Sequence, residues 1–577
     1  MKILLSAVNA KYIHSNPAVY SLKAYAGEYG DNFQLEIAEY TINQQKDEIL
    51  GDLFLRRPDV LCFSCYIWNI SYVKELIGDI SKVLPDTIIW VGGPEVSYHA
   101  LEFLEECSQV TGVMVGEGEA TFPDVARHYQ DNKPDLANIS GIVYTEEKEG
   151  ERILRQNPPR ERLKLSAIPF AYETLQDFRS RIIYYESSRG CPFSCSYCLS
   201  SVDKKLRFRD LELVKKELRF FIDHQVPQVK FVDRTFNCDH NRTISIWDYI
   251  REQDNGITNF HFEVAADLFT EEELDLIGTM RPGLIQLEIG VQSTNPKTLS
   301  AIRRQMDFEK VSQAVHRIGE GKNVHQHLDL IAGLPYEDYE SFGRSFNEVY
   351  TLKPNQLQLG FLKILKGSYM QEMVNEYQCS YQCREPYEVL KTKWLSYEDI
   401  LRLKGICEMV EIYYNSGQYS RTLPVIEKIF PTPFAFYEAM AAFYKERGYF
   451  AISHSRLRRY EILLEFLELY KKEELEYYKE MLVLDLYLRE NVKSRPSWAK
   501  DMSVYREYIH DFYRTEEKAP RYLTEYTGYQ ARQLSKMTHV EVFQYPVLQQ
   551  GRGESYVLFD YKKRDPLTHN ADVYIIK

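Results

Sequence analysis

The sequence predicts an α/β protein in three parts: a doubly wound parallel sheet, a partial barrel of strand–helix units, and a mainly helical C-terminal region. Three observations predict it. Short apolar runs alternate with helical patterns over residues 1–135. The alternation resumes over 176–370, and strand signals are absent from 371 until near the C-terminus. Short buried strands separated by helices imply parallel pairing, because each crossover helix must cover a sheet face.

In the first part the strand candidates are Ile3–Ala7, Leu35–Ala38, Val60–Cys65, Ile88–Val91 and Gly112–Val115. Helical patterns such as Ala18–Tyr29 and Ser71–Val83 lie between them. Residues 136–175 read as a hairpin and linker, with Ile142–Tyr144, a charged tip at Glu146–Arg152, and prolines at 158, 159 and 169. The second alternating part offers Ile182–Tyr185, Gln228–Val232, Phe260–Val264, Leu284–Ile289, His327–Ile331 and Gln356–Leu359. Strand–helix units gathered round one site suggest a partial barrel with its chemistry at the C-terminal strand ends. Residues 371–577 carry one long helical pattern, Tyr460–Leu488, and three late strand candidates, Val540–Tyr545, Tyr556–Tyr561 and Val573–Ile576. The tyrosine-rich stretches Trp394–Tyr414 and Phe434–Tyr449 read as packed helix core, with a lid over the barrel mouth as the alternative.

The chain of 577 residues is long enough for several domains. Its net charge of -13 argues against a broad nucleic-acid surface. No window is long and apolar enough for a membrane span, and Met1 to Val8 reads as a first strand rather than a signal peptide. Ten cysteines without regular pairing fit free thiols in a reducing, cytoplasmic setting.

Three of those cysteines fall in one short segment, Cys191-Pro-Phe-Ser-Cys195-Ser-Tyr-Cys198, just past a predicted strand and the turn residue Gly190. Three thiolates can hold one soft metal centre but leave a four-ligand site incomplete. A 4Fe-4S cluster takes one cysteine per iron, so three leave an iron open to bind and reduce another molecule. A zinc site would need a fourth ligand, and the nearest later cysteine is Cys238. Tyr197 brings an aromatic ring beside the third cysteine.

The C-x3-C-x-Tyr-Cys segment opening a strand–helix barrel resembles the radical S-adenosylmethionine (SAM) superfamily. The resemblance runs over roughly 180–370: Leu287 to Ser293 is similar to that family's fourth-strand segment, Asp329 to Pro335 to its fifth, and Lys363 to Ser368 to its sixth. It implies a 4Fe-4S cluster on Cys191, Cys195 and Cys198 that chelates SAM and cleaves it reductively. It also implies an electron donor such as flavodoxin or ferredoxin. A zwitterionic ligand needs partners for its ammonium, carboxylate and ribose. Asp233 is a candidate for the ammonium, Glu288 with Gln292 for the ribose or ammonium, and Arg303 or Arg304 for the carboxylate. The family's Gly-Gly-Glu at the second strand is absent here.

The strand ends of the first part also carry unusual residues. Ser64, Tyr66, Trp68 and Asn69 follow one strand, Gly92, Gly93 and Glu95 the next, and Gly116, Glu117 and Gly118 the last. Small residues, amides and a flat aromatic along one edge suit a large planar ligand. They resemble the Rossmann-like cobalamin-binding domain that precedes many radical SAM domains. The Asp-x-His-x-x-Gly loop that supplies a lower cobalt ligand in many cobalamin proteins is not matched. Tyr12 stands where the aspartate would be and Pro17 where the glycine would be, leaving His14 without its orienting group. The expectation is cobalamin bound without a protein histidine on cobalt.

The resemblance implies an enzyme that uses cobalamin to methylate an unactivated carbon of a small-molecule substrate. Ring closure or rearrangement is the alternative within the class. A non-catalytic corrinoid or iron–sulfur module and a structural zinc protein are the alternatives from other classes. The C-terminal part resembles an extension of unknown role.

Overall fold

The computed structural model describes residues 1–28, 34–172, 174–548 and 553–576. Tyr29, the last residue of the first expected helix, lies outside them. The chain forms two compact units. The first comprises Met1–Glu320, Ile331–Asp338 and Phe361–Ser396; the second comprises Gly321–Leu330, Tyr339–Gly360 and Tyr397–Lys577.

The first unit opens with strands β1 (Lys2–Asn9), β2 (Gln34–Thr41), β3 (Val60–Ser64), β4 (Ile88–Gly92) and β5 (Gly112–Met114), all paired in parallel. The hairpin β6 (Ile142–Lys148) and β7 (Glu151–Gln156) then adds antiparallel to β5. The sheet order is β2-β1-β3-β4-β5-β6-β7. Side chains alternate across a strand, and β1 sends Leu4 and Val8 into one core and Ile3, Leu5 and Ala7 into the other. Both faces are covered, which is why these strands read as unbroken apolar runs. The order reverses between β1 and β3, so the loops after these strands diverge and leave a crevice at their carboxyl ends. Asn9 to His14 and Ser64 to Asn69 occupy those two loops.

The second sheet in this unit runs β13-β12-β11-β8, with β8 (Ile183–Tyr185), β11 (Gln228–Phe231), β12 (Asn259–Val264) and β13 (Ile285–Gln292) parallel. Between β8 and β11, the two-residue strands β9 (Ser188–Arg189) and β10 (Arg207–Phe208) pair antiparallel, and the three cysteines sit in the loop they enclose. Along β13, Ile285, Leu287, Ile289 and Val291 are buried, while Gln286, Glu288, Gly290 and Gln292 share the other, partly open face. That alternation separates core from site on one strand. The fifth and sixth expected strands also form, as β14 (His325–Ala332) and β15 (Gln356–Phe361). Among the described residues β8 pairs only with β11, so the barrel is partial and open at that edge. A short hairpin, β16 (Ser380–Tyr381) and β17 (Val389–Lys391), follows.

The second unit is helical, with a terminal antiparallel sheet of β18 (Thr538–Phe543), β19 (Ser555–Arg564) and β20 (Ala571–Ile576). The expected helix over 460–488 divides into Arg456–Lys471 and Leu475–Arg489, because the charged run Lys471 to Glu474 has no apolar face to bury. The tyrosines are core. Tyr413, Tyr437, Tyr444 and Tyr460 are fully buried, and Tyr413 and Tyr444 satisfy each other's hydroxyls at 2.7 Å. Asp485 is also buried and accepts from Thr422 N at 2.8 Å, Thr422 Oγ1 at 2.6 Å and Arg421 N at 2.8 Å. No helix among the described residues is long and apolar enough to cross a membrane.

Candidate active site

The first unit contains a cavity of about 1000 Å³ at the carboxyl ends of both its sheets. Ser64, Tyr66, Trp68, Gly92, Gly93, Gly116, Glu117 and Gly118 line it from the first sheet. Glu186, Ser188, Arg189, Gly190 and Arg234 line it from the second. Such a volume lies at the upper end of the range for ligand pockets, as a large cofactor requires.

On the first rim, the rings of Tyr66 and Trp68 stack at 4.4 Å and 9°, presenting a flat apolar surface. Trp68 is held by its Nε1 donating to Val8 O at 3.2 Å. Gly93 has φ +112°, and a side chain there would overlap the Cys65 carbonyl. Gly116, at φ +79°, has open space where a Cβ would stand. Backbone can therefore approach a ligand closely at this turn.

Two residues expected on this rim have other work. Asn69 is fully buried, donating to Val8 O and Ser64 O at 2.9 Å and accepting from Tyr66 N at 2.8 Å. It closes the β3 loop with both of its N–H donors spent. Glu95 is buried too, paired with Lys366 Nζ at 2.9 Å and accepting from the Tyr387 hydroxyl. Neither lines the cavity. Glu117 does, but Arg207 Nη1 donates to it at 3.1 Å, and the neighbouring Glu119 takes Arg189 Nη2 at 2.7 Å. Arg189 also reaches Glu186 Oε2 at 2.7 Å. These arginines belong to β9 and β10, so the ends of the cysteine loop are tied to the glycine turn. Sequence reasoning missed them, although Arg189 stands two residues before the first cysteine.

Next to Gly190 of the second rim, Cys191 and Cys195 are buried and Cys198 is half-buried, and none of the three lines the cavity. Gly190, at φ +100°, lets the loop pass close to Lys205, whose carbonyl oxygen lies 2.8 Å from where a Cβ would stand. The loop is anchored by Ser196, whose N donates to Ile302 O at 2.9 Å and whose O accepts from Met370 N at 2.8 Å. Cys191 Sγ is 3.6 Å from Thr235 Oγ1, and Arg304 Nη1 donates to Cys195 Sγ at 3.7 Å. Burial raises the Cys195 thiol; Arg304 opposes this, and Cys198 and Cys191 reinforce it, which places the three sulfurs in one another's field. Among the described residues no three His, Cys, Asp or Glu side chains are gathered to hold a metal ion, the three cysteines included. The donor set, position and hydrogen-bonded sulfurs nonetheless fit a three-cysteine cluster. Burial also pushes the Tyr197 phenol well above its ordinary value, beside Arg304 and Cys195.

The arginine pair is sorted by the fold. Arg303 is exposed, at φ +55°, and its guanidinium lies 3.4 Å from the Tyr369 ring centroid. Arg304 turns inward to Cys195 and to the Gly290 carbonyl, and its Nε is buried without a partner. Of the two, Arg304 is the one turned toward the cysteines with a buried N–H left unpaired.

Asp233 and Glu288 also part company. Asp233 is fully buried and accepts from Ser187 N at 2.8 Å, Ser187 Oγ at 2.6 Å and Ser188 Oγ at 2.7 Å. It braces the turn before the cysteines instead of facing a ligand, and burial raises its pKa to about 6. Glu288 lies 3.0 Å from both Lys230 Nζ and His261 Nε2. Burial opposes its ionisation, but His261 and Lys230 outweigh that and hold its pKa at about 2. Gln292, at φ +72°, folds back over Gly290 with its Oε1 buried and unpaired. His14 lines the cavity with Nδ1 2.5 Å from the Tyr184 hydroxyl. Cys238 is half-buried and burial raises its thiol to about 11, the behaviour of a packed residue.

Three segments of the chain match known protein families. Residues 3–126 match the B12 binding domain, 185–349 the radical SAM superfamily, and 375–559 a protein of unknown function (DUF4080). A 2-(S-pantetheinyl)-carbapenam-3-carboxylate methyltransferase of Streptantibioticus cattleyicolor is 27% identical over 307 residues, 49% of this chain and 44% of that protein. The cobalamin-dependent radical SAM methyltransferase TokK of Streptomyces tokunonensis is 26% identical over 300 residues, again 49% and 44%. The chain thus spans less than half the length of these relatives. Among solved structures, the cobalamin-dependent SAM radical enzyme OxsB with aqua-cobalamin and SAM bound aligns with a TM-score of 0.57 at 15% identity. That alignment covers 89% of this chain and 75% of that one. At such identity the likeness is one of fold.

The matched domains place the chain among radical SAM proteins that carry a B12 binding domain. The chain carries a B12 binding domain followed by a radical SAM domain, and ends in a DUF4080 extension. Cobalamin, a 4Fe-4S cluster and SAM are its cofactors.

Proposed function

We propose that this chain is a cobalamin-dependent radical SAM methyltransferase acting on an unactivated carbon of a small molecule in a reducing cytoplasm. The observation that carries this reading is the single cavity reached by both rims, which supports bringing both cofactors to one substrate. The methyltransferase relatives support methyl transfer, and a magnesium-protoporphyrin IX monomethyl ester cyclase at 28% identity supports ring closure as the second reading. When bound, the cluster and SAM supply an adenosyl radical and cobalamin supplies the methyl group.

The chain's own residues hold and orient. Cys191, Cys195 and Cys198 bind the cluster, and Arg304 pairs the SAM carboxylate while donating to Cys195. Glu288, Gln292 and Tyr197 border the SAM site. Tyr66, Trp68, Gly93 and the Gly116 to Gly118 turn cradle cobalamin, with Ser64 and Gly92 beside them. Residues 1–135 form the cobalamin domain, 136–175 the hairpin and linker, 176–370 the radical domain and 371–577 the extension. Electrons come from a separate carrier.

Anaerobic reconstitution with iron, sulfide and aquacobalamin, followed by reduction in the presence of SAM, tests the reading. Formation of 5′-deoxyadenosine and a gain of one methyl in a metabolite extract are expected. A stable cluster that never cleaves SAM would refute it.

A further inference from the structure

We infer that Arg234 anchors the substrate, taking a carboxylate or phosphate group on the small molecule that lies between the two cofactors. This deepens the proposed methyltransferase reading and rests on it.

Arg234 lines the cavity from the loop after β11, and its side chain is 54% exposed. The residues on either side hold its backbone in place. Asp233 is locked by Ser187 and Ser188, and Thr235 is buried with its Oγ1 3.6 Å from Cys191 Sγ. Arg234 is thus one residue away from a group that touches the first cysteine of the motif. Its charge also reaches the other rim. Burial raises the Tyr66 phenol above its ordinary value, and Ser64 and the positive charge of Arg234 oppose that rise. The guanidinium therefore stands where the two rims approach each other, which is where a substrate shared by both cofactors must lie.

The other charges lining the cavity are spent on partners. Glu117 is held by Arg207 at 3.1 Å, and Glu119 and Glu186 are each held by Arg189 at 2.7 Å. Glu217 accepts from Arg209 at 2.8 Å, and Asp203 pairs with Arg162 at 2.8 Å. Arg234 is the exception. Its nearest ion partner among the described residues is Glu263 Oε2 at 4.0 Å, beyond hydrogen-bond reach. A guanidinium presents five N–H donors in a planar fork, and those of Arg234 meet no acceptor among the described residues. The SAM carboxylate has its own partner in Arg304, which leaves the substrate to bring the anion. A carboxylate or phosphate matches the fork with two parallel hydrogen bonds. A neutral molecule would cover the cation without pairing it, so the site selects acidic substrates.

The test reduces the reconstituted full-length protein anaerobically with SAM carrying a trideuterated methyl group and a cell metabolite extract. Labelled products are read by mass spectrometry after passage over an anion exchanger at mildly basic pH. The labelled product should be retained on the exchanger, and release by phosphatase treatment would identify its anion as phosphate rather than carboxylate. Arg234→Gln should lower product formation at least about tenfold, the worth of one charge-assisted pair. Bound iron and sulfide, and affinities for aquacobalamin and SAM, should stay within about twofold of the wild type. Arg234→Lys, which keeps the charge but not the fork, should recover part of the loss. A labelled product that passes the exchanger as a neutral or cationic species overturns the inference, as does wild-type product formation by Arg234→Gln. Weakened SAM or aquacobalamin binding in that variant overturns it too, by giving Arg234 to a cofactor. A wild type that cleaves SAM but labels nothing overturns methyl transfer and this inference together, whereas one that never cleaves SAM overturns the radical SAM reading itself.

Discussion

The two rims of the cavity are built on different physics. The first-sheet rim is made of backbone and rings: glycines at positive φ, a stacked Tyr66–Trp68 pair, and carboxylates already neutralised by cations from other elements. The second-sheet side carries titratable groups outside the cavity lining: Cys195, Arg304, Asp233 and Glu288. The first suits a large ligand bound by shape, whereas the second suits a small zwitterion and an electron. Changes on the first rim should therefore be insensitive to pH, and changes on the second should not.

The largest effect belongs to the second rim. Cys195→Ala removes a thiol that no neighbour can replace, and bound iron and sulfide should fall to background on metal analysis. Retention of a full cluster would mean that the loop is not the ligand set. On the first rim, Gly93→Ala forces a left-handed residue into the Cys65 carbonyl, costing about 2–3 kcal/mol. Denaturant unfolding should show that loss equally at pH 6 and pH 8, together with weakened aquacobalamin binding.

Asp233 and Glu288 sharpen the contrast within the second rim. The folded pKa of Asp233 is raised to about 6, so its protonated form is favoured on folding. Stability from this group is full below about pH 4 and is lost as pH rises through 6, by about 3 kcal/mol in all. Glu288 is the reverse: its folded pKa of about 2 gives stability that is full above about pH 4.5 and lost as pH falls toward 2. Melting temperature against pH should lose the pH 4–6 slope in Asp233→Asn and the pH 2–4.5 slope in Glu288→Gln. Unchanged slopes would show that the two environments do not differ. The smallest effect is Trp68→Ala, which removes one ring of the stacked pair. Aquacobalamin affinity should weaken by about fivefold, the worth of one aromatic contact of about 1 kcal/mol.

Much of this was legible in the chain. Every expected strand formed, most shifting by only one or two residues, because periodicity and turn residues are local signals. The cysteine motif was visible for the same reason: its three thiols fall within residues 191–198. The helix over 460–488 was misread as continuous because a charged run looks alike on a helix surface and at a corner. Asn69 and Glu95 were expected at the cavity and are instead spent on Val8, Ser64, Lys366 and Tyr387. Nothing near them in the chain announces those partners.

The sequence alone determined which elements exist, where strands end, and which thiols fall together in the chain, since each follows from the order of neighbouring residues. Tertiary structure decided which polar groups remain available. It turned Arg304 rather than Arg303 to the cysteines, gave Asp233 to two serines, and tied Arg189 and Arg207 to Glu119 and Glu117 across 70 and 90 residues. A buried polar group must find a partner wherever the fold brings one, and that search runs through space rather than along the chain.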